Sequence, residues 1–133
     1  MSILKKNMKD LPKIIPVFPL SNFIIFPKTA VPLNIFEPRY IDMVNDAMKS
    51  NKFIGMVQPK TYAGDEKTPE LYKIGCMGKI TSFNETNDGR YLIELKGLLR
   101  FQILKEIISE KKYRECQIDF TIFKDDLIEK KEE

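Results

Sequence analysis

The sequence predicts a single, mainly β domain of the α+β kind: a small closed or half-closed barrel with one helix. Three observations predict it. All eight prolines fall between Pro12 and Pro69, so the first half is built from short strands and fixed turns. The proline-free second half alternates apolar and polar residues with period two, the pattern of half-buried strands. One segment alone, about residues 38–50, repeats its apolar residues at spacings of three and four. A chain of 133 residues allows one domain, and closing a barrel removes the exposed edges that many short strands create.

The elements follow in order. Residues 1–14 carry Lys5, Lys6, Lys9, Asp10 and Lys13 with little periodicity and read as a flexible basic arm. The domain proper is expected over residues 15–123. Ile15–Phe18 and Val31–Phe36 read as short strands joined by a tight apolar connection. Pro38 suits the first helical turn, where a missing N–H costs nothing, and Glu37 is a favourable charge beside it. Tyr40, Met43, Val44, Ala47 and Met48 then form one stripe, with Asn51 as the expected terminator. Phe53–Val57 is a short buried strand, and Thr61–Pro69 reads as a loop. In the strand Leu71–Phe83, Ile74, Cys76, Gly78 and Ile80 share a face. Asn87-Asp88-Gly89-Arg90 predicts a hairpin, with Asp88 and Gly89 both tolerant of positive φ. Tyr91, Ile93 and Leu95 form one face of the return strand. Gly97 then breaks the pattern, suggesting a bulge or corner, before Leu99, Phe101 and Ile103 restart it. Cys116, Ile118, Phe120 and Ile122 share a face of a last strand reaching Phe123. Residues 124–133, with five acidic and three basic side chains, read as a charged tail or the first turn of a further helix.

Composition excludes several chemistries. The sequence has no histidine, so imidazole bases and histidine metal ligands are ruled out. A net charge of +3 is too small to announce a nucleic-acid binder. Cys76 and Cys116 lie 40 residues apart, which is no metal spacing, and read as buried free thiols. Neither a secretory leader nor an apolar run long enough for a membrane span is present, so a cytoplasmic protein is expected. Gly75-Cys76-Met77-Gly78-Lys79-Ile80 is superficially like a phosphate loop. Its glycines are too close, however, and Ile80 stands where Ser or Thr must reach magnesium. Asp125, Asp126 and Glu129 lack the loop spacing of a calcium site. No Gly-x-Ser-x-Gly surrounds any of the five serines, which leaves a serine–lysine hydrolase with little support. Basic residues interleaved with aromatics would point to RNA binding, and Arg100-Phe101 and Arg39-Tyr40 qualify only weakly. No cofactor or metal is expected.

Pro16–Tyr40 is the most informative stretch, with five prolines in a strongly apolar sequence. Pro16, Pro19 and Leu20 form a Pro-x-x-Pro-Leu opening. Ile24, Ile25 and Phe26 precede Pro27, and Pro32–Tyr40 reads Pro-Leu-Asn-Ile-Phe-Glu-Pro-Arg-Tyr. Further on stand Ile74-Gly75-Cys76 and Gly97-Leu98-Leu99-Arg100-Phe101. These motifs resemble the N-terminal domain of Lon proteases, especially its stand-alone bacterial relatives and the corresponding domain of cereblon, from about Ile15 to Phe123. The resemblance implies a PUA-like fold, a six-stranded pseudo-barrel with one helix. It also implies a non-catalytic module that recognises unfolded or tagged polypeptides or partner proteins, with self-association as a competing use. The family's ATPase and Ser–Lys protease modules have no counterpart here, and the chain stops near where relatives enter a helical bundle. It therefore reads as a natural short form or a fragment. The expected polypeptide-binding surface is Phe23, Phe26, Pro27, Phe36, Arg39 and Tyr40. The alternative, by analogy of fold, is a PUA-like RNA-binding module.

Overall fold

The computed structural model describes residues 11–20, 27–60 and 70–127. The strands are β1 (Ile14–Pro19), β2 (Ala30–Ile35), β3 (Phe53–Pro59), β4 (Leu71–Glu85), β5 (Tyr91–Ile107) and β6 (Arg114–Asp119). One α-helix, α1 (Pro38–Met48), lies between β2 and β3, and a 3-10 segment, Thr121–Leu127, follows β6. The strand order is β2-β5-β4-β3-β1-β6, and β6 pairs back onto β5. Five strands therefore close a ring, and β2 hangs on its outside through β5. The β1–β3 pair is parallel, and the other pairs are antiparallel. Among the described residues this is the expected six-stranded pseudo-barrel with one α-helix. The expected Thr61–Pro69 loop lies outside the described residues.

Two apolar cores result. The first lies under α1, where Tyr40, Met43, Val44 and Ala47 meet Val31, Leu33 and Ile35 of β2, Ile54 and Met56 of β3, and Ile93 and Leu95 of β5. The second fills the ring: Ile15 and Val17, Phe53 and Val57, Met77, Leu99 and Phe101, and Cys116 and Ile118 come from its five strands. Leu11, within the segment read as an arm, is also buried there, and the Ile118 N–H donates to the Lys13 carbonyl at 2.9 Å. Strand β3 is buried on both faces, which explains its unbroken apolar run.

The break at Gly97 is a bulge that switches cores. Gly78 pairs with Gly97 but Met77 pairs with Leu99, so Leu98 is the extra residue. A one-residue insertion turns the following side chains to the other face. Ile93 and Leu95 thus serve the first core, whereas Leu99 and Phe101 serve the second.

The expected hairpin forms, and two other local expectations are corrected. In the hairpin Gly89 has positive φ, at 85°, and Asp88 does not. The Gly89 N–H donates to the Thr86 carbonyl at 3.1 Å and the Thr86 N–H to the Arg90 carbonyl at 2.8 Å, a turn that needs one left-handed residue rather than two. After α1 the left-handed residue is Lys52, φ 66°, not Asn51. The Asn51 side-chain oxygen instead accepts the Phe53 N–H at 3.0 Å, while the Lys52 carbonyl accepts the Ile80 N–H at 2.9 Å and starts β3 against β4. The last strand ends at Asp119, short of Phe123. The Asp119 carboxylate accepts the Thr121 N–H (3.3 Å) and hydroxyl (2.8 Å), turning the chain into the 3-10 segment and leaving Ile122 63% exposed.

Two tyrosines tie α1 to the sheet. The Tyr91 hydroxyl donates to Asn45 at 2.9 Å and the Tyr113 hydroxyl to the Asp46 carboxylate at 2.6 Å. Burial, and then the hydrogen bond to Asp46 and its charge, push the Tyr113 pKa above the usual tyrosine value. Tyr113→Phe is expected to cost about 1–2 kcal/mol near neutral pH. Because the folded state holds this proton more tightly than the unfolded chain, that stabilisation is intact below about pH 10 and is lost as pH rises further. Urea midpoints of the two proteins should therefore converge above pH 10. A gap unchanged to pH 11 would contradict the assignment.

Candidate functional site

The expected surface is only partly assembled. Phe23 and Phe26 lie outside the described residues. Pro27 is half-buried in the turn entering β2, where Lys28 takes φ 72° and donates its N–H to the Gly97 carbonyl at 2.7 Å. Phe36, Arg39 and Tyr40 gather at the opposite end of β2, at the start of α1. Val31, Leu33 and Ile35 point inward, so Phe36 turns out and is 64% exposed. Leu92 pairs with Asn34 on β2 and with Asn84 on β4, and is 43% exposed on the same outer face. The Glu37 carboxylate accepts the Arg39 Nε–H at 3.1 Å. The Arg39 guanidinium lies 4.7 Å over the Tyr40 ring. Tyr40 itself is buried against Phe18, with ring centroids 4.5 Å apart, and burial raises its pKa against the opposing Arg39 charge. At this corner, then, Phe36 and Leu92 are the apolar groups in solvent, whereas the Tyr40 ring is buried.

Sequence reasoning missed Leu92, although it is the one apolar residue on the polar face of the Tyr91–Leu95 alternation. It also missed a second apolar group, Tyr72, Ile74 and Leu104, which are 50%, 43% and 53% exposed at the far end of the β4–β5 ribbon. Arg100, in the Gly-x-x-Arg motif, anchors the 3-10 segment. Its Nε and terminal nitrogen donate to the two Asp126 oxygens, both at 2.9 Å, its backbone N–H donates to Asp126 at 3.0 Å, and its guanidinium lies 4.7 Å from the Phe123 ring centre.

Among the described residues, the cysteine thiols and two of the serine hydroxyls are held in structural roles. Burial pushes the Cys76 and Cys116 thiols up to about 11, so both stay protonated at neutral pH. The Ser50 hydroxyl donates to the Asp46 and Ala47 carbonyls, and the Ser109 hydroxyl accepts the Lys111 N–H. Among the described residues, no group of three or more His, Cys, Asp or Glu is placed to hold a metal ion, and no helix is long and apolar enough to cross a membrane.

Against known proteins, a family model described as the ATP-dependent protease La (LON) substrate-binding domain matches residues 14–133. The chain belongs to this family. Similar proteins include Lon protease 2 of Myxococcus xanthus, 28% identical over 114 residues, and the Lon protease of Flavobacterium johnsoniae, 32% identical over 113. Those matches cover 85% and 84% of this chain but only 14% of either relative. The LON domain fold is shared with two solved structures. One is the Lon N-terminal domain protein from Xanthomonas campestris, with TM-score 0.65 and 23% identity over 80% of this chain and 59% of that one. The other is the N-terminal domain of the Mycobacterium avium complex Lon protease, with TM-score 0.62 and 16% identity over 81% and 54%. In this LON domain the run Phe36–Tyr40 thus splits between an exposed ring and a buried one.

Proposed function

We propose that this LON substrate-binding domain is a non-catalytic recognition module for unfolded polypeptide, and that the Phe36–Leu92 face receives it. The observation that carries the reading is a large aromatic side chain left 64% exposed at the end of a strand whose large aliphatic residues, Val31, Leu33 and Ile35, are inside. Unfolded chains offer apolar side chains and free backbone groups, and such a face answers the first. Strand β2 answers the second. Among the described strands it pairs with β5 alone, so an extended chain can add along its outer edge, except at Pro32, which has no N–H. Family membership supports the same reading. RNA binding finds less support, because the rings of the pairs Arg39-Tyr40 and Arg100-Phe101 are buried away from any base.

Phe36→Ser tests this. A fluorescently labelled, permanently unfolded polypeptide should bind the variant about tenfold more weakly, as measured by anisotropy. Stability should change by no more than about 0.5 kcal/mol, since the ring is outside the core. Unchanged affinity would remove this face from the account.

A further inference from the structure

A groove lies where the start of β4, the end of β5 and the start of β6 meet. It is a cavity of about 220 Å³ lined by Leu71, Tyr72, Ile103, Leu104 and Cys116, with Lys73, Lys105 and Arg114 beside them. Its size falls below the roughly 300–1,000 Å³ of pockets for whole small molecules and suits one or two side chains. The apolar part continues outward, because Tyr72 and Leu104 are half-exposed and Ile74 lies beyond them on the outer face. The charges do not balance. Both carboxylates at the groove are already engaged: Glu70 with Lys60 at 2.6 Å, and Glu106 with Arg114 at 2.6 Å. Lys73 and Lys105 form no ion pair with any described residue. Among the described residues the groove is therefore an apolar slot whose rim holds Lys60, Lys73, Lys105 and Arg114 against only Glu70 and Glu106, an excess of two cations, with the Lys73 charge also acting on Glu70.

We infer that this groove binds a polypeptide segment in which an apolar side chain is flanked by carboxylates. The apolar side chain enters between Leu71, Ile103 and Leu104, and the flanking carboxylates meet Lys73 and Lys105. This rests on the polypeptide-recognition reading above and adds a sequence preference to it. The preference comes from charge at the rim, so it weakens with salt.

The test uses two labelled peptides of equal length. One alternates leucine with aspartate and glutamate, and the other carries asparagine and glutamine in their place. Binding is read by anisotropy on the wild-type chain, on Lys73→Gln/Lys105→Gln and on Leu104→Ser, with the long unfolded polypeptide run on all three. The acidic peptide is expected to bind wild type about fivefold more tightly than its amide version at low salt. The double lysine variant should erase that ratio, and Leu104→Ser should weaken both peptides. Equal affinities on wild type, or a ratio unaffected by the lysine changes, would overturn the inference. If the long polypeptide still binds in that event, the recognition reading stands without this groove. If neither the peptides nor the long polypeptide binds wild type, both fall together.

Discussion

Phe101→Ala is expected to cost about 3–5 kcal/mol, a large part of the 5–15 kcal/mol that holds a typical domain folded. Phe101 is fully buried inside the ring, and its side chain spans strands that only glycine lets approach. Gly75 is its partner across the β4–β5 pair, and Gly55 lies on β3. A Cβ at Gly55 would stand 2.9 Å from the tip of the Phe101 ring, and one at Gly75 2.7 Å from it. The ring also meets Phe120 edge to face, with centroids 6.3 Å apart and planes at 85°. Deleting it leaves a hollow bordered by two glycines, neither of which has a side chain to move in. Urea denaturation gives the number directly. A loss below about 1 kcal/mol would mean that the ring collapses around the gap and that the second core is not organised around this residue.

The glycines provide the second large effect, from the opposite direction. Gly75→Ala places its methyl group 2.7 Å from the Met56 carbonyl oxygen and 2.8 Å from a Val57 methyl, as well as against Phe101. The carbonyl belongs to the paired β3 backbone and cannot step aside, so about 1–3 kcal/mol is expected to be lost. Gly55→Ala meets only the Phe101 ring at under 3.4 Å, with an Ile15 methyl at 3.4 Å. The two substitutions therefore separate in a double-mutant cycle with Phe101→Leu. The smaller side chain should relieve Gly55→Ala by a coupling of at least about 0.5 kcal/mol and leave most of the Gly75→Ala cost in place. Equal relief at both sites would show that backbone crowding at Met56 is unimportant.

Much of this architecture was legible because period-two patterns report burial directly. Val31, Leu33 and Ile35 were alternate and are inside; by the same rule Phe36 had to be outside, which makes it a candidate contact. The helix stripe put Tyr40 inside for the same kind of reason, so two residues of one motif take opposite places. What could not be read was anything set by pairing partners. The Leu98 bulge decides which core Leu99 and Phe101 enter, and that depends on register with β4. Lys52 adopts the left-handed turn expected of Asn51 because its carbonyl is needed by Ile80, a residue 28 positions away. Tyr72 and Leu104 became a common apolar wall only once β4 and β5 were laid side by side. The end of β6 was misjudged because Ile122 keeps the alternation, while the Asp119 side chain imposes a different backbone.

Polypeptide recognition by an exposed apolar face can be observed residue by residue in amide NMR spectra under titration. Spectra would be recorded while adding a permanently unfolded polypeptide, and separately single-stranded RNA at moderate salt. The account predicts shifts with the polypeptide that cluster on β2, Phe36 and the neighbouring residues of β5 around Leu92, and none with RNA. Shifts with RNA alone, fading as salt rises, would contradict it and favour nucleic-acid binding by this barrel.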